Sequence, residues 1–146
     1  MRDIRFRAKS LDTHKWVYGN YVREEDTTYC FKEDYYNHPE IVHHYICYDT
    51  TTDWGLPNDH HKVEVDPFTL GEFTGCRDKH GVDIYEGDIV RKRAGDGRMH
   101  NLIVVFSYGV FNCGWGYGSS AKTHPYLLDD SNIVVMGNEH DNPELV

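Results

Sequence analysis

The chain is predicted to be all-β, built of short antiparallel strands arranged as a small barrel or sandwich. Three observations lead there. Apolar stretches are short and are punctuated by Gly, Asp and Asn turns. Aromatic residues make up 14% of the sequence, and 11 of its 146 residues are tyrosine, which suits half-exposed strands and contact surfaces. No segment holds a helical period long enough for a packed helix.

The elements follow in order. Ile4, Phe6 and Ala8 alternate with Arg5 and Arg7, the period of a half-buried strand. Ser10 to His14 breaks that period with turn chemistry. Trp16-Val17-Tyr18, Gly19-Asn20 and Tyr21-Val22 read as strand, tight turn and strand. Glu24-Glu25-Asp26 is an acidic turn, Thr27 to Phe31 a strand, and Asp34 to Glu40, with Pro39, a loop. Ile41 to Tyr48 is a strand, and Asp49 to His61 is the most loop-like segment of the chain. It is expected to separate an N-terminal part, 1–61, from a C-terminal barrel, 62–146.

From Lys62 the pattern tightens. Val63 and Val65 form a short strand, and Leu70 to Thr74 another. Asp78-Lys79-His80-Gly81 and Glu86-Gly87 are turns. Asp88 to Arg93 and Asn101 to Ser107 are strands around Ala94 to Arg98. Tyr108-Gly109 turns the chain into Val110-Phe111, and Gly114 to Ser120 is a glycine-rich loop. Lys122 to Asp130 holds a short turn or a helical turn, Ile133 to Met136 is the final strand, and Gly137 to Val146 continues in turns.

Fifteen basic against 24 acidic residues give a net charge of −9. Such a surface repels phosphate backbones and anionic membranes, while ten histidines make the charge sensitive to mild acid. The longest apolar run, Leu102 to Phe106, is far too short to cross a bilayer. Met1 to Arg5 is not followed by the apolar stretch of a secretion signal. Cys30, Cys47, Cys76 and Cys113 form no C-x-x-C pair and are expected to be reduced thiols in a cytoplasmic protein.

The most informative stretch runs from Phe73 to Val90. It contains Phe73-Thr74-Gly75, Asp78-Lys79, Gly81 and Ile84-Tyr85-Glu86-Gly87-Asp88-Ile89-Val90. Together with the opening Met1 to Ala8 and Trp16-Val17-Tyr18-Gly19, and the close Val135-Met136-Gly137-Asn138 and Asn142-Pro143-Glu144-Leu145, it resembles the YopX family of phage and prophage proteins. Val22 to His61 carries little of the resemblance. The resemblance implies one mainly-β YopX-like domain with an SH3-type barrel in its C-terminal half and an N-terminal β extension. It also implies a mobile-element origin and self-association. It brings no activity, so no catalytic, cofactor-binding or metal residues are carried over. The residues of the stretch have a structural reading of their own. Gly75, Gly81 and Gly87 serve turns, and Ile84, Ile89 and Val90 serve the core. Asp88 accepts backbone N–H groups at its turn, and Tyr85 packs with its hydroxyl outward.

Other constellations read as ordinary surface chemistry. Asp59, His60 and His61, or His38, His43 and His44, have metal-ligating side chains, but adjacent strand histidines point to opposite faces. Gly95-x-Gly97 and Gly114-x-Gly116-x-Gly118 lack the strand-to-helix context of a phosphate loop. The second carries Trp115 and Tyr117, suited to an interface. Arg91-Lys92-Arg93 with Arg98 is the one basic cluster, and Phe106, Tyr108 and Phe111 follow on neighbouring strands. That is the makeup of a single-strand or RNA-binding hairpin, set against a charge-protected edge strand.

The expectation is a non-enzymatic, self-associating accessory protein without a cofactor, active in the host cytoplasm. It would bind a host or phage protein through an acidic, tyrosine-rich surface. Nucleic-acid binding through the Arg91–Arg98 hairpin is the alternative, disfavoured by charge. A small metal-dependent hydrolase using Asp59 and His61 ranks below it.

Overall fold

The computed structural model describes residues 1–26, 29–37, 41–93, 97–107, 109–114, 126–128 and 133–146. The protein is mainly β, as the sequence predicts, with antiparallel strand pairing throughout the described residues. The chain divides into two units: Arg5–Leu70, and Met1–Ile4 together with Gly71–Val146.

In the first unit, β1 (Phe6–Lys9), β2 (Trp16–Glu25), β3 (Val42–Thr50) and β4 (Asp59–Glu64) form neighbours in the order β4-β3-β2-β1. The sheet curls back on itself at one end. Ser10 bridges Val65, the Leu11 N–H donates to the Glu64 carbonyl at 3.0 Å, and the Asp66 N–H donates to the Lys9 carbonyl at 2.9 Å. The end of β1 is locked further by a short 3-10 helix over Pro67–Thr69, where the Lys9 N–H donates to Thr69 Oγ1 at 2.8 Å. Ala8, Ile46 and Val65 are buried in the curl, with Phe6, Val17, Tyr21, Tyr48, Val63 and Leu70 around them. Arg7 is buried too, its guanidinium 4.7 Å from the centre of the Trp16 ring, so the polar face of β1 is covered rather than solvated.

The first unit corrects four local expectations. Gly19 does not turn the chain: β2 is one continuous strand through it. A Cβ there would lie 2.3 Å from the Cys47 carbonyl oxygen, so the glycine serves close strand approach. Where a loop was expected over Asp34 to Glu40, Lys32–Asn37 forms α1 (residues 38–40 lie outside the described residues). The helix has no buried residue, so no apolar period announces it. Tyr29 to Phe31 is not a strand, and Thr27 and Thr28 lie outside the described residues. The loop expected over Asp49 to His61 shrinks to residues 51–58, because Thr50 pairs with Asp59, Asp49 with His60 and Tyr48 with His61.

The second unit holds β5 (Gly71–Arg77) paired with β6 (Asp83–Tyr85), and a sheet of β7 (Asp88–Arg93), β8 (Met99–Ser107), β9 (Val110–Gly114), β10 (Tyr126–Leu127) and β11 (Val134–Asn138). The sheet order is β10-β9-β8-β7-β11, and among the described residues no β10–β11 pairing closes it. Its core is Ile84, Val90, Leu102, Val104, Cys113 and Ile133. The glycine-rich segment and its Trp115 and Tyr117 lie outside the described residues, as do Ala94 to Asp96 and Tyr108. Tyr126–Leu127, expected in a short turn or a helical turn, is a strand beside β9.

The Phe73–Val90 stretch is construction. Gly75, Gly81 and Gly87 have φ of 84°, 82° and 81°, the left-handed region that glycine enters without steric cost. Asp88, 1% exposed, accepts the Tyr85 N–H at 2.8 Å. Ile84, Ile89 and Val90 are wholly buried. Tyr85 packs as expected, its ring 5.5 Å from that of Phe73, and it goes deeper than a residue with a solvent-facing hydroxyl would, at 4% exposure. Asp78 does more than turn the chain. Its Oδ1 accepts the His80 and Val82 N–H groups at 2.8 and 2.9 Å, and its Oδ2 accepts the Val135 N–H of β11 at 3.1 Å. The closing Asn138 to Leu145 stretch is likewise a built turn, with Asn138 Oδ1 accepting from the His140 and Asp141 N–H groups.

Candidate interaction surfaces

The histidines divide by strand face. Along β3 and β4 the register sets His43, Tyr45, Cys47 and Asp49 on one face with His60, Lys62 and Glu64. On the other face lie His44, Ile46, Tyr48 and Thr50 with Asp59, His61 and Val63. On the first face His43 Nδ1 bonds Glu64 at 2.7 Å and His43 Nε2 lies 3.5 Å from Asp26. His60 bonds Asp49 and Lys62 bonds Glu24, each at 2.5 Å. The Glu64 hydrogen bond and the neighbouring carboxylates raise the His43 pKa against the smaller opposing effect of desolvation, and the Glu24 bond raises that of Lys62. On the second face Tyr21 Oη shares a hydrogen bond with His44 at 2.7 Å, and His61 stacks on Tyr48 while bonding Thr50. Each adjacent pair is therefore split, and among the described residues no three His, Cys, Asp or Glu side chains gather as a metal site. His38 lies outside the described residues.

The basic cluster is divided in the same way. β7 pairs β8 with Arg91 opposite Asn101, Arg93 opposite Met99, and Lys92 opposite His100. Phe106 and Phe111 face each other across β8 and β9, ring centres 5.0 Å apart, on the same side as Leu102, Val104 and Cys113. Arg91 and Arg93 project to the opposite side. Arg91 Nε donates to Asn101 Oδ1 at 3.0 Å, and Asn101 Nδ2 donates to the Leu145 carbonyl at 2.8 Å. Arg93 Nε donates to the Gly97 carbonyl at 3.0 Å. The Arg91 and Arg93 guanidinium groups thus lie on the face opposite the aromatic rings, while the register puts Lys92 on the side of the rings. The Phe pair borders a pocket of about 310 Å³ with Thr74, Cys76, Val110 and Leu128. The Arg2 guanidinium lies 5.5 Å from the Phe111 ring centre and is salt-bridged to Glu72.

The tyrosine-rich surface gathers around α1. Tyr29, Tyr35 and Tyr36 pack edge to face, with ring centres 5.6 and 5.5 Å apart. Phe31, Tyr35, Tyr36 and Ile41 are all exposed, Tyr36 at 72%. A second aromatic feature sits at the β3–β4 turn. Asp53 Oδ1 accepts the Trp54 N–H at 2.8 Å, Thr52 Oγ1 donates to the Pro57 carbonyl at 3.1 Å, and Gly55 takes a φ of 85°. This built turn leaves Trp54 fully exposed beside exposed Leu56. Nothing in the sequence pattern marks Trp54 as a presented residue. Its place in a short turn follows from the β3–β4 register, with Thr50 opposite Asp59.

The family model described as "YopX protein" matches residues 5–146. The chain belongs to the YopX family. The match runs through Val22 to His61, so that segment is part of the family domain despite carrying little of the recognisable signature. This YopX-family chain is similar to the crystal structure of protein EF1440 from Enterococcus faecalis, with a TM-score of 0.52, 21% identity and 99% of each chain covered. That likeness extends to the fold. No curated protein matches the YopX-family chain.

Proposed function

We propose that this YopX-family protein is a phage- or prophage-derived, non-enzymatic accessory protein of the host cytoplasm. It associates with itself and binds a host or phage protein. The observation that carries the reading is the exposed aromatic group on and beside α1, where Phe31, Tyr35 and Tyr36 are exposed and the helix has no buried residue. Aromatic side chains concentrated at a surface supply large contact area at small entropic cost. An acidic total charge favours a partner of opposite sign.

Light scattering tests the assembly. The protein at micromolar concentration is expected to exceed its monomer mass of 17.0 kDa, and the double variant Phe31→Ser, Tyr36→Ser is expected to shift it toward monomer. A clean monomer for the unmodified protein overturns self-association. Affinity capture from prophage-induced cells tests the partner. Recovery of no protein beyond background overturns that half.

The nucleic-acid alternative draws on Arg91, Lys92, Arg93 and Arg98; the separation of Arg91 and Arg93 from the Phe106–Phe111 pair weakens it, and leaves Lys92 as the cation on the side of that pair. Binding to single-stranded DNA or RNA at low salt that is lost in Arg91→Glu would restore it.

A further inference from the structure

The edge of β4 has the features of a strand-addition site. β4 is a terminal strand in the order β4-β3-β2-β1. The Val65 N–H donates inward to the His44 carbonyl at 2.9 Å. By the alternation of an antiparallel ladder, Val63 and His61 also turn their backbone groups toward β3, while Glu64, Lys62 and His60 turn theirs outward. The Glu64 carbonyl is taken by Leu11 where the sheet curls shut. Beyond that point the ladder with β1 stops, and the outward groups of Lys62 and His60 have no backbone partner among the described residues.

A cleft of about 430 Å³ opens beside this free edge. One wall is the Ser10–Thr13 turn, the other is Lys62 to Glu64, and Val17, Tyr48 and Val63 supply apolar lining. Leu11, half exposed, stands at the wall with Asp12. The charges are unequal. Asp12 and Glu64 border the cleft against one lining cation, Lys62; Glu24 holds Lys62 and His43 bonds Glu64, which leaves Asp12 as the lining carboxylate with no ion-pair partner in either of these two bonds. A free strand edge beside an apolar cleft is the arrangement that accepts an extended peptide: the edge bonds its backbone and the cleft takes one side chain.

The geometry points to β4 as the docking edge for an extended segment of a partner protein, one that places an aliphatic side chain between flanking lysines or arginines. The aliphatic side chain enters the Val17–Tyr48–Val63 cleft. The basic flanks meet Asp12 and Glu64, and the segment's backbone pairs with Lys62 and His60. This rests on the partner-binding reading above and supplies a location for it.

The test uses the full chain, isotope-labelled, and a short capped peptide alternating lysine with valine and leucine. Binding is expected to shift and protect from exchange the Lys62 and His60 amides. It is expected to fail with the same peptide N-methylated at alternate amides and with its glutamate-for-lysine counterpart. Lys62→Pro removes only an outward N–H, which an edge strand tolerates, and Lys62→Ala controls for the side chain. Lys62→Pro is expected to bind roughly tenfold more weakly than Lys62→Ala. Equal binding by the N-methylated peptide, equal affinity of the two variants, or no binding overturns the proposal. Protection of the β4 amides without peptide, growing with protein concentration, assigns the edge to a second copy and overturns it too. Partner capture that survives Lys62→Pro leaves the general function standing and removes this site; loss of all capture by the unmodified protein removes the function itself.

Discussion

Asp78 shows how much one carboxylate can organise. Burial alone would raise its pKa, but the N–H groups of Val82, Val135 and His80 outweigh that and hold it below the ordinary carboxylate value. A depressed folded-state pKa contributes stability above the unfolded value and loses it as pH falls through the folded one. Asp78→Ala is therefore expected to destabilise the protein by about 2–4 kcal/mol at neutral pH, with the deficit shrinking in acid, as urea titrations at several pH values would measure. His43 has the opposite sign. Its raised pKa means that its bonds to Glu64 and Asp26 contribute below the usual histidine range and fade as pH rises through the elevated value. An NMR titration should find it above ordinary histidines, and Glu64→Gln should lower it. Burial pushes the Cys113 thiol up to about 11, whereas Cys30 is exposed. A thiol reagent at neutral pH should label Cys30 readily and reach Cys113 only on unfolding. At this scale the sequence was legible wherever a residue serves its own turn: Gly75, Gly81, Gly87 and Asp88 each act within a few positions. It was silent on the reach of Asp78 to Val135, because nothing local records a bond across that separation.

The strands with a buried side were readable from their alternation. β7 spans Asp88–Arg93 as expected, β8 starts earlier than expected, at Met99, and β3 starts at Val42 rather than Ile41 and runs on to Thr50. The elements that escaped have no such contrast. α1 buries nothing, and the first half of β4 is Asp59-His60-His61, polar on both faces. Gly19 escaped for a different reason. A glycine beside asparagine signals a turn, yet here it is a place where two strands approach too closely for a Cβ. Gly19→Ala is expected to cost about 1–3 kcal/mol by crowding the Cys47 carbonyl, visible as a lower melting temperature. Gly55→Ala is the contrast: a Cβ there meets nothing, so its cost is confined to the positive φ. The docking edge was hidden for a similar reason. It exists because Ser10 meets Val65, a pairing that no window of sequence contains.

The whole molecule carries −9 at neutral pH with a sequence pI near 5.5. Its repulsion between copies should weaken as ten histidines gain protons. Light scattering from pH 8 toward the pI is expected to show growing association, less so in the Phe31→Ser, Tyr36→Ser variant. A mass independent of pH would mean that charge does not limit assembly. The fold class was legible at this scale, since many short strands and few helices leave a clear compositional trace. The candidate surfaces were legible only as composition: tyrosines and histidines can be counted, but which of them share a face is decided by register. The pairing of β11 with β7 has a further consequence, for biosynthesis. During translation, β7, β8 and β9 can form as consecutive hairpins, while one side of β7 stays open until residues 134–138 have left the ribosome. Through that interval the nascent chain displays a strand edge next to apolar residues still lacking Ile133. The speed of elongation over the intervening residues thus sets how long the chain is exposed to chaperones, proteases or another nascent copy.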